Sequence, residues 1–81
     1  MISCHQYDYV EIACMYNFLI KLLLKTGMEI EGVACDTQRN EKREECIKLK
    51  VGETEHLIVL DNISRMEAKD NNPHFQVVTF E

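Results

Sequence analysis

The sequence has few of the residues that several functional classes require. Its 81 residues include three Gly, one Pro and no Trp. Three scattered glycines exclude a glycine-rich phosphate-binding loop. The longest apolar run, from 18 to 24, contains Lys21 and is far shorter than the roughly 20 residues of a membrane-spanning helix. We therefore expect one globular domain over residues 1–81 that is not inserted in a membrane.

Basic residues are also scarce. Nine Lys and Arg stand against 14 Asp and Glu, which gives a net charge of -5. The first basic residue is Lys21, so Asp8 and Glu11 have no basic neighbour in residues 1–20, and residues 51–64 are likewise acidic without a basic residue. This charge balance opposes direct binding to nucleic-acid phosphates and favours a basic protein partner. The alternative is that the acidic residues only form a solvated surface.

Catalytic and metal-binding patterns are missing as well. Cys4 beside His5 is the nearest approach to a nucleophile and its base, but no known signature surrounds them. The cysteines are too widely spaced for a zinc site, and no His stands at ligand spacing. We expect no enzyme activity, no metal and no cofactor. The N-terminus has no basic export signal, so we expect a cytoplasmic protein whose cysteines are reduced. We expect these cysteines to pack as small apolar residues. Cys35 and Cys46 flank one loop, however, and can face each other across paired strands.

The apolar pattern predicts a helix followed by strands. Tyr7, Val10, Ala13 and Cys14 recur at helical spacing and predict a helix over about 6–16. Ser3 and Gln6 fit a capping box at its start. Asp8 and Glu11 share one face of this helix, where the helix dipole alone can account for two acidic residues in the first turns.

After Asn17 the spacing of apolar residues changes to two, which predicts strands. Gly27 marks a tight turn and Gly32 a sharp bend. The predicted strands cover about 18–24, 28–35, 46–51, 55–60 and 74–80, with a charged loop over 36–45. The fold class is therefore mainly β: a short N-terminal α-helix and a strongly bent five-stranded antiparallel Sm-like barrel over about 18–80. An SH3-like or OB barrel would show similar periodicity.

The N-terminal residues carry a family resemblance. The run 2–14, ISCHQYDYVEIAC, resembles the opening of Rho-binding antiterminator (Rof) proteins: Cys, two residues, Tyr-Asp, two residues, Glu, an aliphatic residue and Ala-Cys. The resemblance continues through the turns at 25–27 and 51–53 and the segments 32–36 and 60–63, so it covers nearly the whole chain.

The resemblance implies an inhibitor of the transcription termination factor Rho. Such proteins have a Sm-like barrel without the nucleic-acid-binding rings of its relatives, act as monomers, and bind the N-terminal primary RNA-binding domain of the Rho hexamer, which blocks RNA loading. By motif position the contacts would be Tyr7, Asp8 and Glu11 with Gln6 beside them, and Arg39 and Asn40 in the loop that follows Asp36.

This implication has a physical basis. A Rho surface that binds RNA phosphates must carry Lys or Arg, and carboxylates can pair with the same groups. We therefore expect mimicry of RNA charge by the acidic helix. The alternative function is a Sm-like RNA-binding or oligomeric module, which would show a basic groove instead of an acidic helix face.

Overall fold

The computed structural model describes residues 4–80. One N-terminal helix precedes six strands of a single antiparallel sheet. In chain order the elements are α1 (Cys4–Met15), β1 (Leu19–Leu24), β2 (Glu29–Arg39), β3 (Glu45–Val51), β4 (Thr54–Val59), a short 3-10 helix (Leu60–Asn62), β5 (Ile63–Ala68) and β6 (Val77–Thr79).

Helix α1 buries the face that the spacing predicts. Val10, Ala13 and Cys14 are buried, and Tyr7 packs partly buried against the same core. The helix begins at Cys4, two residues before the predicted start. The predicted capping box involves Ser3, which lies outside the described residues.

Asn17 ends the helix. Its φ of 51° is left-handed, a conformation that Asn tolerates better than most residues. The Phe18 N–H donates to the Ala13 carbonyl at 2.9 Å and the Asn17 N–H to the Cys14 carbonyl at 3.2 Å, which is the hydrogen-bond pattern of a Schellman motif. The Asn17 side chain also donates from Nδ2 to the Cys14 carbonyl (3.2 Å) and to the Ala34 carbonyl of β2 (2.9 Å). One side chain thus terminates the helix and holds it to the sheet.

The strands follow the order β4-β3-β2-β1-β5-β6, and β1 lies between β2 and β5. Ile20 and Leu22 of β1 and Ile47 and Leu49 of β3 are fully buried, as the alternation predicts. Ile58 of β4 and Val78 of β6 belong to the same core, although their strands lie at opposite edges of the sheet. The sheet must therefore curl, and the curled sheet fits the predicted small-barrel class.

Gly32 permits the curl. A Cβ at this position would lie 2.5 Å from the Lys50 carbonyl oxygen, 2.9 Å from Val51 Cγ2 and 3.0 Å from Leu49 Cγ, so any side chain would collide with β3. The pairing of β2 with β3 is also irregular between Ala34 and Asp36, where a bulge adds to the bend.

The strand count differs from the predicted five. Strand β5 occupies a segment that the sequence pattern leaves unassigned, because its inward residues Ser64 and Ala68 are small or polar and only Met66 between them is a large apolar residue. The segment forms a strand because it pairs with β1 on one side and β6 on the other.

Two strand boundaries also differ. Strand β2 continues to Arg39, so the predicted loop over 36–45 is only the segment 40–44. The last strand is Val77–Thr79 and not 74–80. Asn72 Oδ1 accepts the backbone N–H groups of His74 (2.8 Å) and Phe75 (3.0 Å), which holds that stretch in a turn.

No helix among residues 4–80 has the length and apolar character that crossing a membrane requires.

The close approach at Gly32 can be tested by substitution. Gly32→Ala should lower the free energy of unfolding by about 3 kcal/mol, because the methyl group meets backbone as well as side-chain atoms of β3. Gly27→Ala is the matched control, since φ is 94° there and nothing lies within 4 Å of the added atom. It should cost only about 1 kcal/mol of conformational strain. Equal urea midpoints for the two variants would contradict the packing explanation.

The helix end gives a second test. Asn17→Gly keeps the left-handed conformation but removes both side-chain hydrogen bonds, which should cost about 1 kcal/mol. Asn17→Ala also strains the backbone and should cost about 1 kcal/mol more. Thermal unfolding followed by circular dichroism would measure the order. Greater stability of the Ala variant than of the Gly variant would show that the left-handed turn is not the constraint.

Candidate functional site: the outer face of the helix

The outer face of α1 carries Asp8 and Glu11, and both are exposed. They lie three residues apart and therefore side by side on the helix surface. Their inward neighbours Val10, Ala13 and Cys14 are buried, so packing fixes which face turns outward. Both carboxylates are therefore accessible, as the expected mimicry of RNA charge requires. We call this surface, Asp8 with Glu11, the acidic face.

Helix-start electrostatics, the alternative explanation of these two carboxylates, account for little of the acidic face. Because α1 begins at Cys4, no acidic residue lies in its first turn. Asp8 belongs to the second turn, and Glu11 lies near the middle, where the dipole contributes little. Within the described part of the chain, neither carboxylate has a salt bridge or a hydrogen bond. Both are available to an external cation.

The two flanking residues of the motif have structural contacts. Gln6 is half-buried, and its Nε2 donates to the Thr79 carbonyl of β6 at 2.8 Å. Tyr7 is half-buried against the core. A partner can therefore reach only part of the Tyr7 ring, while Gln6 joins the helix to the edge of the sheet.

Asp36 is a third exposed carboxylate, on β2, although the sequence pattern places it in a loop. The pKa of the Cys14 thiol is raised from 9.0 to about 12, first by burial and then by the charges of Asp36, Cys35 and Glu11. Asp36 on β2 and Glu11 on the helix thus both act on the same thiol. The position of Asp36 on a strand could have been predicted from the sequence only by placing the bulge after Ala34.

Arg39 is the last residue of β2, and Asn40 is the first residue of the loop that follows it. Arg39 is three residues beyond Asp36 along β2, a distance of about 10 Å. Its Nη2 lies 3.7 Å from Glu45 Oε1, and both side chains are exposed. Such a surface pair contributes little stability, so the guanidinium can exchange partners at small cost.

Asn40 organises the loop between β2 and β3. Its Oδ1 accepts the backbone N–H groups of Lys42 (2.9 Å) and Glu44 (3.0 Å), and its Nδ2 donates to Glu44 Oε1 at 3.0 Å. Arg43 in this loop has a left-handed φ of 63°. The Asn40 side chain is therefore committed to loop structure and can contact a partner only through its remaining hydrogen-bonding capacity.

A shallow open groove lies beside this loop. Its lining combines loop residues with apolar side chains of β4, and it includes Arg39, Asn40, Glu41, Lys42, Leu57 and Val59. Basic and acidic side chains alternate along the loop, so the groove does not have the uniformly basic character that phosphate binding favours.

The cysteines differ in their surroundings. Cys14 and Cys46 are buried, as predicted, whereas Cys4 is exposed and Cys35 half-buried, and all four are free thiols. The prediction that Cys35 and Cys46 face each other is wrong, because Cys46 pairs with Gln38 and Cys35 lies at the bulge. Among residues 4–80, no three His, Cys, Asp or Glu side chains come together as a metal site would require.

Comparisons with known proteins agree with the sequence resemblance. A family model described as "Modulator of Rho-dependent transcription termination (ROF)" matches residues 1–80. The chain is 32% identical to Protein rof of Escherichia coli (strain K12) over 56 residues, which are 69% of this chain and 67% of that protein. Protein rof of Shigella flexneri matches with the same identity and coverage.

A solved structure shares the fold. YaeO of Vibrio cholerae O395, determined bound to magnesium, superposes with a TM-score of 0.89 and 45% sequence identity, over 93% of this chain and 97% of that one. Since the family model spans nearly all of the sequence, the chain belongs to the ROF family of modulators of Rho-dependent transcription termination.

Proposed function

We propose that this protein inhibits Rho by binding the N-terminal primary RNA-binding domain of the Rho hexamer and blocking the loading of RNA. The acidic face would pair with the Lys and Arg residues that otherwise bind RNA phosphates. The protein would act as a monomer in the cytoplasm, by binding rather than by catalysis and without binding RNA itself.

The observation that carries this proposal is the exposed, unpaired state of Asp8 and Glu11. Two like charges side by side on a helix destabilise it slightly, and no basic side chain of the described residues offsets them. A pair that the fold does not need for stability is available for recognition. Membership in a family of modulators of Rho-dependent termination supports Rho as the partner.

The other proposed contacts have smaller roles. Tyr7 would add the exposed part of its ring beside the carboxylates, and Gln6 would fix the N-terminal half of the helix through Thr79. Arg39 would provide a second, separate contact at the end of β2, in a loop that Asn40 shapes. The alternating charges of the groove weigh against the RNA-binding alternative.

Charge reversal on the acidic face tests the proposal. Asp8→Lys and Glu11→Lys should each weaken binding to purified Rho by at least about tenfold, because a lysine would face the basic side chains of the partner. Both residues are exposed, so the unfolding free energy should change by less than about 0.5 kcal/mol.

Glu53→Lys is the matched control for this experiment. Glu53 is exposed in the turn between β3 and β4, and the substitution changes the net charge by the same amount. Isothermal titration calorimetry should give nearly wild-type affinity for this variant. Equal losses for Glu53→Lys and Asp8→Lys would mean that only overall charge matters and that the acidic face is not the contact.

The proposed pairing also predicts a dependence on salt. Wild-type affinity for Rho should fall steadily as ionic strength rises, because salt screens exposed charges. The double variant Asp8→Asn/Glu11→Gln keeps the shape of both side chains and removes their charge, so its affinity should be lower at low salt and vary less with salt. Parallel salt dependences for the two proteins would place the electrostatic contact elsewhere on the molecule.

A further inference from the structure

The C-terminal end of α1 exposes two large apolar side chains. Met15 is 71% exposed and Tyr16 is 54% exposed. Met15 lies one helical turn after Glu11, and Tyr16 follows directly. The acidic face therefore continues into an apolar surface at the helix end, and nothing in the core requires either side chain to be apolar.

The Tyr16 ring is held in place by other aromatic rings. It stacks on Phe18 with ring centroids 5.5 Å apart and an interplanar angle of 17°, and on His74 at 5.2 Å and 18°. Phe18 in turn contacts Phe75, which is buried. The rings of Tyr16, Phe18 and His74 form what we call the aromatic end. Because it is anchored in the core, binding to it would cost little side-chain ordering.

The charges around the aromatic end favour a cation over an anion. The helix terminates here, so its dipole places partial negative charge at this end. Asp70 lies on the adjoining segment, where its Oδ2 accepts the Leu19 N–H at 2.8 Å. The neighbouring Lys69 is paired with Glu67 at 3.5 Å. A phosphate would meet net negative charge at this point, whereas a guanidinium or ammonium group would be attracted.

We propose that the aromatic end, together with Met15, receives an Arg or Lys side chain of Rho through a cation–π contact with Tyr16. This inference rests on the proposed function, and it extends the contact surface from the two carboxylates to the end of the helix. The aromatic face of Tyr attracts a cation placed over it, and Met15 would shield that contact from water.

A purely structural role makes a different prediction. If the rings only tie the segment around His74 to the helix, replacing Tyr16 changes stability and leaves Rho binding as it was. The affinity for Rho and the unfolding temperature should therefore be measured on the same variants of the full chain.

Three substitutions of exposed residues test the proposal. Tyr16→Phe keeps the ring and should bind Rho within about twofold of wild type, whereas Tyr16→Leu should bind roughly 3- to 10-fold more weakly. Met15→Lys places a cation beside the ring and should weaken binding by about tenfold. Met28→Lys is its matched control, because Met28 is 64% exposed at the distant turn between β1 and β2 and should have no effect.

The outcomes separate this inference from the proposed function. Failure of the wild-type chain to bind Rho would overturn both. Wild-type binding that persists unchanged in Tyr16→Leu or in Met15→Lys would overturn this inference alone. Should the Leu variant unfold, Met15→Lys compared with Met15 in the Glu11→Gln background still decides, because no Glu11 carboxylate is then present to pair with the lysine and so exposed a side chain is not needed for folding. Binding of a labelled single-stranded oligonucleotide that depends on Tyr16 would instead identify a base-stacking surface and contradict the proposal.

Discussion

The hydrogen bonds of Asn17 are the constraint on which the orientation of the helix depends. Its side chain joins the last turn of α1 to the Ala34 carbonyl of β2, and its left-handed backbone turns the chain into β1. With this end fixed, the packing of Val10, Ala13 and Cys14 against the core leaves Asp8 and Glu11 on the outer face. The acidic face therefore depends both on how the helix ends and on which of its residues pack inward.

The outer face of α1 carries charged groups that the fold itself does not use. Asp8 and Glu11 lie beyond the first helical turn and lack partners among the described residues, so neither the dipole nor an ion pair accounts for them. Burial, with Asp36 next in importance, raises the pKa of the neighbouring Cys14 thiol to about 12, so it stays protonated well above neutral pH. A buried and protonated thiol is a poor nucleophile. Cys14 therefore contributes no reactive thiol to the surface, and the outer face of the helix offers charge to a partner.

Much of the fold could be predicted from the sequence, because periodicity reports burial directly. The helix stripe, the turn at Gly27 and the buried alternation of β1 and β3 follow from spacing and turn chemistry. Strand β5 could not be predicted, since small and polar inward residues leave no apolar pattern and only pairing with β1 and β6 makes it a strand. Likewise, the extension of β2 to Arg39 could not be predicted, because the bulge after Ala34 interrupts the regular strand pairing.

The candidate site was predictable in part. Spacing places Asp8 and Glu11 on one exposed face, and only the family resemblance links that face to Rho. The structural duties of Gln6 and Asn40 depend on contacts that no local pattern reveals, as does the stacking of Tyr16 on His74, which lies 58 residues away in the chain.

We propose that this protein and RNA compete for the same basic surface of Rho. Displacement of a fluorescent C-rich single-stranded RNA from Rho measures this directly. Under competition, wild-type protein should release the RNA completely, and the concentration needed should rise in proportion to the RNA present. A ternary complex in which Rho retains its RNA at saturating protein would rule out competition.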